Sequence, residues 1–444
     1  MIVISQKNMD KIIWSLFLFV MIFNPPIIPR INLFLAFIST LIILLKYRNR
    51  IKRIMRQSKI NSWGFWIGLL FLYAFTIPLV ISLLMNDIVN IENYSALINR
   101  FVVLFITVVP CAIHLICTLE KKGYDYHFFI ETVINAGLIE SFLCILAFLN
   151  PTIKEAFVNI MAKNAPSSLY ENSWYITVRS YGFAGTLLDV FGFGIAVIAG
   201  ISFLYGIIYK QRYIIYSVVI LTSALLNART GIVIYLISVF FSIYYIFRQK
   251  LVKLMIRIIF AIIVILLLSV GVIYIVSQNS ATMGWIRTLV NSIKGAINEK
   301  SVRSLGSLFS DNFWELPGGM RIIIGTAHSK FGATGYSHSD VGYINDIWFS
   351  GIIGCCISYG SLAKITLNVY KNCGNDILIK LCMTHILLCF FIFNIKAASY
   401  AYNPGMATIL TIIFVFNYYV SINKEPYMLN SKNNREICIQ NCLK

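Results

Sequence analysis

Long runs of apolar residues alternate with short polar segments along most of the chain. An α-helix needs about 20 mostly apolar residues to cross the hydrocarbon core of a bilayer. Solid runs of this length predict helices and not the alternating strands of a transmembrane barrel. The pattern therefore predicts an all-α polytopic integral membrane protein, with twelve membrane-spanning helices at about 12–29, 31–45, 63–85, 101–119, 128–149, 185–209, 213–228, 231–247, 258–277, 344–370, 377–395 and 405–421.

Composition agrees with this fold class. Hydrophobic residues make up 58% of the 444 positions and charged residues only 12%, whereas soluble domains are about 25% charged. Intrinsic disorder is excluded by the same figures. In so apolar a chain the net charge of +19 has to be interpreted through the position of the charges, because it indicates nucleic-acid binding only in a soluble protein.

The basic residues indicate how the helices are oriented. The segment 46–59 contains many Lys and Arg residues and no acidic residue, and such segments stay in the cytoplasm. This placement puts both termini inside and makes the charge mainly a topology signal, with no nucleic acid expected as a partner. The predicted organisation is nine spans in 1–277 with a periplasmic loop at about 150–184, a large periplasmic loop at 278–343, three spans in 344–421 and a cytoplasmic tail at 422–444.

Two arginines stand out near the predicted outer ends of spans. Arg229 lies in the tight turn 226–231, between two apolar runs, and Arg179 lies just before the sixth span. A charge held at membrane depth costs several kcal/mol and indicates a functional site. An anionic headgroup would fit Arg229. The alternative is an interfacial arginine whose side chain extends to lipid headgroups.

The second loop ends in a segment rich in Gly, Ser, Thr and His, at 318–354. Arg321 offers a planar cationic group suited to phosphate. His338 and Asp340 are candidates for a general base or an orienting group, although each alone can be an ordinary solvated loop residue. Gly332 and Gly342 are candidates for close backbone approach to a ligand.

Two acidic residues fall inside predicted spans. Glu140 lies mid-span, where it is either a proton-relay carboxylate or a hydrogen-bonded contact between helices. Asp189 lies one turn inside the outer face and is expected to pair with a nearby Arg. A phosphate-binding GxxxxGK[ST] loop, an HExxH helix and a CxxC pair do not occur in the sequence. We therefore expect no nucleotide, no metal and no other cofactor.

Topology and motifs together resemble the bacterial O-antigen polymerases (Wzy-type), which are related to the O-antigen ligases. Three segments carry the resemblance: the 227–231 turn, the segment 337–343 and the segment 349–354. Arg321 and Gly332 also match the Arg-x10-Gly element of the family's periplasmic loops. Arg179 departs from that element, because its Gly arrives only at Gly192.

The resemblance implies a GT-C-like glycosyltransferase in the bacterial inner membrane. Its substrates would be oligosaccharide repeat units linked to undecaprenyl diphosphate, joined on the periplasmic face by metal-independent, inverting transfer. Arg229, Arg321 and Arg179 would bind the lipid diphosphate, and His338 or Asp340 would act on the acceptor hydroxyl. The family also implies a chain-length-determining co-polymerase as a partner. The alternatives are a lipid-linked oligosaccharide flippase, which should show two related halves, and an O-antigen ligase.

Overall fold

The fold is known from a computed structural model of the chain. It describes residues 5–57, 102–164, 182–185, 188–227, 230–248, 314–326, 339, 341–397 and 403–422, together with scattered positions between 68 and 84 and between 252 and 274. Within these ranges the regular structure is entirely helical, as the sequence predicts.

Thirteen helices organise the described residues, and we number them in chain order. They are α1 (Gln6–Phe23), α2 (Ile31–Lys46), α3 (Arg48–Gln57), α4 (Leu104–Lys122), α5 (Tyr126–Leu149), α6 (Pro151–Asn164), α7 (Leu188–Ile208), α8 (Arg212–Asn227), α9 (Thr230–Arg248), α10 (Arg321–Ile324), α11 (Gly342–Asn372), α12 (Ile377–Phe393) and α13 (Pro404–Ile422).

Six of these helices are long and apolar enough to cross a membrane: α4, α5, α7, α9, α11 and α13. A seventh span is counted if α2 and α3, which meet at an angle of 101°, form one bent unit. The helices α8 and α12 are apolar but shorter. The protein is therefore a helical, multi-pass membrane protein. The predicted spans 63–85 and 258–277 lie largely outside the described residues, and a helix coincides with each of the others.

The predicted span 12–29 is wrong at its carboxyl end, because α1 stops at Phe23. Asn24 follows in the left-handed conformation (φ 47°, ψ 58°), and Pro25 and Pro26 come next. A residue before proline avoids the helical region, and proline has no N–H to continue the helix. The remaining residues of the predicted span form a linker that leads to α2.

The predicted span 344–370 is also not one continuous helix. Gly351 interrupts α11 with φ 64° and ψ −179°, a conformation that suits only glycine. Three further helices lie in segments that were predicted as loops: α3 in the basic segment 46–59, α6 in the loop at about 150–184 and α10 in the loop at 278–343.

The helix α7 forms the centre of the bundle and contacts α5, α8, α9 and α12. Small residues allow this packing: a Cβ on Gly137 would lie 2.7 Å from Ile198, and one on Gly231 would overlap the backbone of Gly192. The bundle has two distinct ends. We call one the Glu131 end (Asp10, Lys11, Lys122, Glu131, Lys210) and the other the Glu140 end (Asn24, Glu140, Phe183, Asp189, Thr230).

Candidate functional site

Most of the residues predicted for the site lie outside the described residues. These are Arg179, Arg229, Gly332, His338 and Asp340. Of the predicted set, the structure places Arg321 at the first position of α10 and Gly342 at the first position of α11. Residues that follow Arg179, Arg229, His338 and Asp340 in the sequence are described.

Glu140 holds the segment that follows Arg179 in the chain. Its carboxylate is fully buried and accepts the backbone N–H of Phe183, with N–O distances of 3.0 Å to Oε1 and 3.2 Å to Oε2. Gly182 packs so closely on this carboxylate that a Cβ there would overlap it. Of the two roles predicted for Glu140, the structure supports the hydrogen-bonded contact, although its partner is a loop backbone and not another helix.

The same segment is attached to the carboxyl end of α1. The N–H of Gly185 donates to the carbonyl of Phe23 at 2.8 Å. Asn24 accepts the N–H of Asn32 through its side-chain oxygen at 3.3 Å. The segment 182–185 therefore lies between α1, the first turn of α2 and α5.

Asp189 lies beside the residue that follows Arg229. Its Oδ1 accepts the hydroxyl hydrogen of Thr230 at 2.7 Å. The pairing of Asp189 with an arginine stays a prediction, because Arg229 is outside the described residues. Thr230 opens α9 where α9 meets α7 at Gly192, and the described neighbours of Arg229 therefore belong to the Glu140 end.

Arg321 belongs to a short element that fits into the break in α11. The helix α10 ends at Gly325 (φ 86°), and this glycine lies directly against Gly351. A Cβ on Gly325 would come within 2.6 Å of the Gly351 nitrogen. The Thr326 N–H and hydroxyl both donate to the Trp348 carbonyl, at 2.7 and 2.8 Å. The contact between Gly325 and Gly351 therefore packs α10, which begins with Arg321, against the break in α11.

A tyrosine hydroxyl lies beside two backbone carbonyls at the break. The hydroxyl of Tyr73 lies within hydrogen-bond distance of the carbonyls of Ile324 (3.1 Å) and Ser350. A helix interruption leaves backbone oxygens without helical partners, and buried oxygens need new ones. The break therefore has hydrogen-bond partners from other segments. Membrane proteins tolerate such non-helical backbone where it lines a cavity or is covered by protein.

Tyr73 was not predicted, and neither was a second residue of this region, Asp346. Asp346 is buried in the first part of α11, and its carboxylate accepts the hydroxyl of Tyr359. An acidic residue inside the predicted span 344–370 is the signal that should have identified it.

The break region connects with the rest of the Glu140 end. The N–H of Tyr343 donates to the Asn394 carbonyl at 3.0 Å, just after α12. At the end of α12, Phe393 stacks on Phe193 of α7 with ring centroids 4.4 Å apart. The carboxyl end of α12, the first turns of α7 and the first part of α11 therefore lie at one end of the bundle.

A third unpredicted residue, His385, lies deep in the bundle. Its Nε2 is 3.1 Å from the Val197 carbonyl, and its ring lies where a Cβ on Gly200 would be. Cys389 is 3.5 Å from the same Nε2. The described residues include no group of three or more His, Cys, Asp or Glu side chains with metal-binding geometry.

The fold and this end of the bundle define a class: a multi-pass helical membrane protein with a broken helix and buried carboxylates at one end. No family model and no curated protein matches the chain. A particular activity therefore rests on the residues and on the resemblance of their motifs.

Proposed function

We propose that the chain is an O-antigen polymerase of the bacterial inner membrane. It joins oligosaccharide repeat units that are linked to undecaprenyl diphosphate, on the periplasmic face, without a metal or other cofactor. The observation that carries the proposal is that segments distant in the sequence belong to one end of the bundle. Residues 182–185, which follow Arg179, Thr230, which follows Arg229, and the helix that begins with Arg321 all belong to the Glu140 end.

Membrane orientation follows from the two ends. The Glu131 end includes Lys11, Lys122 and Lys210, and the basic helix α3 contacts it through α4. Basic residues concentrate on the cytoplasmic side. We therefore place the Glu131 end in the cytoplasm and the Glu140 end in the periplasm. Twelve spans with both termini inside complete this topology.

The main requirement of the reaction is a cation that stabilises the leaving diphosphate. As the bond between the sugar C1 and the diphosphate oxygen breaks, the leaving undecaprenyl diphosphate gains negative charge, and fixed guanidinium groups stabilise that charge. Arg229 and Arg321 take this role in the proposal, with Arg179 as a third contact. Arginine suits it because its planar group binds phosphate through two hydrogen bonds.

The acceptor is the sugar hydroxyl of a second lipid-linked unit. Its oxygen attacks C1 from the face opposite the diphosphate, so the new glycosidic bond has inverted configuration. The hydroxyl proton passes to His338 or Asp340, and undecaprenyl diphosphate leaves. The energy comes from the lipid diphosphate linkage, and the reaction therefore needs no nucleotide. A separate co-polymerase would set the chain length.

Gel analysis of surface polysaccharide after deletion of the gene tests this function. Loss of a polymerase leaves lipid A core capped with a single repeat unit, because ligation continues without polymerisation. Capped core that disappears altogether would instead identify a ligase or a flippase. An unchanged polymer ladder would exclude all three activities. Complementation with the wild-type gene is the control.

A further inference from the structure

An apolar groove opens between α2 and α4, apart from the residues assigned to catalysis. Its volume is about 550 Å³, which lies within the range of ligand pockets. The walls are apolar except for one threonine. They consist of Leu33, Ala36, Phe37, Thr40, Phe105, Ile106, Val109 and Pro110.

A proline lies at the groove wall that α4 supplies. Pro110 is inside α4 and lines the groove together with Phe105, Ile106 and Val109. Proline donates no hydrogen bond to the carbonyl four residues earlier in the helix, which here is the carbonyl of Ile106.

The groove lies in the half of the bundle that contains the Glu140 end. Its α2 residues occupy positions 33–40, and α2 begins at Ile31, next to Asn24. At a rise of about 1.5 Å per residue, Leu33 lies roughly 5 Å along the axis from Arg30 and Thr40 roughly 15 Å. A hydrocarbon chain bound in this groove would therefore have one end directed toward the segment 182–185.

A cation and a buried amide precede the groove residue Leu33 in the sequence. Arg30 is exposed and has a left-handed backbone (φ 56°), unusual for a residue that is not glycine. Asn32 is only 3% exposed, and its side-chain oxygen has no hydrogen-bond partner among the described residues. Asn32 lies one turn before Ala36, a groove residue, and therefore on the same face of α2. A buried amide without a partner is costly unless a ligand supplies one.

We propose that this groove binds the polyprenyl chain of the lipid-linked substrate, with Arg30 facing its phosphate. The inference rests on the proposed function and specifies where the lipid is held. Charge complementarity supports it, because the exposed Arg30 lies three residues before Leu33, the first residue of the hydrocarbon-lined groove. Continuity supports it as well, because Asn24 links the mouth of the groove to the segment after Arg179.

The structure offers a matched pair of variants. Phe37 lines the groove and is 61% exposed, whereas Phe34 does not line it and is 59% exposed on the same helix. Phe37→Ala and Phe34→Ala remove the same side chain at nearly equal exposure. Neither change opens a cavity in the core, so both variants should fold.

The test is photolabelling of the full chain in nanodiscs. One probe is a polyprenyl monophosphate with a diazirine in its chain, and the other is a phosphatidylglycerol with a diazirine in an acyl chain. We expect the polyprenyl probe to label α2 and α4 at the groove, and unlabelled polyprenyl phosphate to compete. Phe37→Ala should lower the competed labelling several-fold, and Phe34→Ala should leave it unchanged. Arg30→Asn, which tolerates the left-handed backbone, should weaken competition by the phosphate.

Three results would overturn the inference. Equal labelling by the phospholipid probe without competition would show that bulk lipid fills the groove. No labelling by either probe would show that protein fills it. Equal loss in both phenylalanine variants would show that the groove is not the site. Because labelling requires no polymerisation, this outcome is independent of the gene-deletion test. Specific labelling together with an unchanged polymer ladder in the deletion strain would refute the polymerase function but support polyprenyl binding in the groove.

Discussion

The two ends of the bundle differ in the groups that hydrogen-bond to their carboxylates. At the Glu131 end, Glu131 is paired with both Lys11 and Lys210, and Tyr205 adds a hydrogen bond of 3.2 Å. At the Glu140 end, the buried carboxylate of Glu140 accepts a backbone N–H, and the partly buried carboxylate of Asp189 accepts a hydroxyl. The first arrangement joins helices through neutralised charge. The second uses neutral donors to hold loop and turn segments.

We infer from this difference that one end stabilises the fold and the other carries the activity. A buried ion pair that connects several helices makes the fold sensitive to loss of one partner. In the proposed function, the anionic substrate binds at the Glu140 end. We therefore expect substitutions at the Glu131 end to change stability and substitutions at the Glu140 end to change activity.

The largest expected effect is on stability, from Glu131→Gln. It leaves Lys11 and Lys210 without their counter-charge. Glu131 and Lys11 are 6% and 22% exposed, whereas Lys210 is 51% exposed, so we expect a loss of about 2–3 kcal/mol, below the cost of breaking a fully buried pair. Thermal unfolding in detergent would measure the loss. Glu120→Gln is the matched control, because Glu120 pairs with Arg53, whose side chain is 54% exposed, and such pairs contribute about 0–1 kcal/mol. Equal losses of thermal stability in the two variants would contradict a special stabilising role for the Glu131 end.

Arg321→Ala should lower activity while leaving the fold intact. Removing one preorganised group that stabilises transition-state charge costs about 10²-fold in rate. Arg321→Lys should recover only part of the rate, because lysine keeps the charge and loses the planar fork. Polymer formed per amount of membrane-inserted protein is the measurement. Arg212→Ala, an exposed arginine near the Glu131 end, is the control, and an equal defect there would refute the role of Arg321.

Gly351→Ala tests the helix break. A Cβ would meet the Ile323 carbonyl, and the positive φ is unfavourable for alanine. Strain of this kind costs about 1–3 kcal/mol and should displace α10 with Arg321, so activity should fall more than stability. Gly360→Ala is the control in the same helix, because nothing lies within 4 Å of its added Cβ. Wild-type activity in Gly351→Ala would show that the break does not position Arg321.

The smallest expected effect concerns Asp10. Hydrogen bonds from Lys122 (2.5 Å) and Tyr124 (2.7 Å) hold the pKa of this carboxyl below its ordinary value. A lowered folded-state pKa adds stability above the usual pKa of about 4, and this contribution is lost as the pH falls through the lowered value. The difference in unfolding midpoint between wild type and Asp10→Asn should be present at neutral pH and vanish in strong acid. A difference that grows toward acid would have the wrong sign.

Much of the architecture could be predicted from apolar run length alone, because the bilayer fixes the length of a spanning helix. The ends were predicted less well. Asn24 and the two prolines after it gave a local signal for the end of α1 that a count of apolar residues ignores. The break at Gly351 depends on Gly325, distant in the sequence, and run length contains no information about that contact.

The candidate site could be predicted in part. Arg321 and Gly342 lie at helix starts near the break, but the sequence analysis assigned no role to Asp346 or Tyr73, whose partners come from other segments. His385 was also missed, although a histidine inside an apolar run is itself a functional signal. Its closeness to Gly200 depends on the packing of α7 against α12, which one sequence does not reveal.

The most direct test of the central claim is a reaction with purified full-length protein in nanodiscs and one lipid-diphosphate-linked repeat unit as the sole substrate. The account predicts a ladder of products, each one repeat longer than the last, with one undecaprenyl diphosphate released per bond formed and no requirement for nucleotide. Substrate that stays unpolymerised in the presence of protein active in polyprenyl binding would contradict the account.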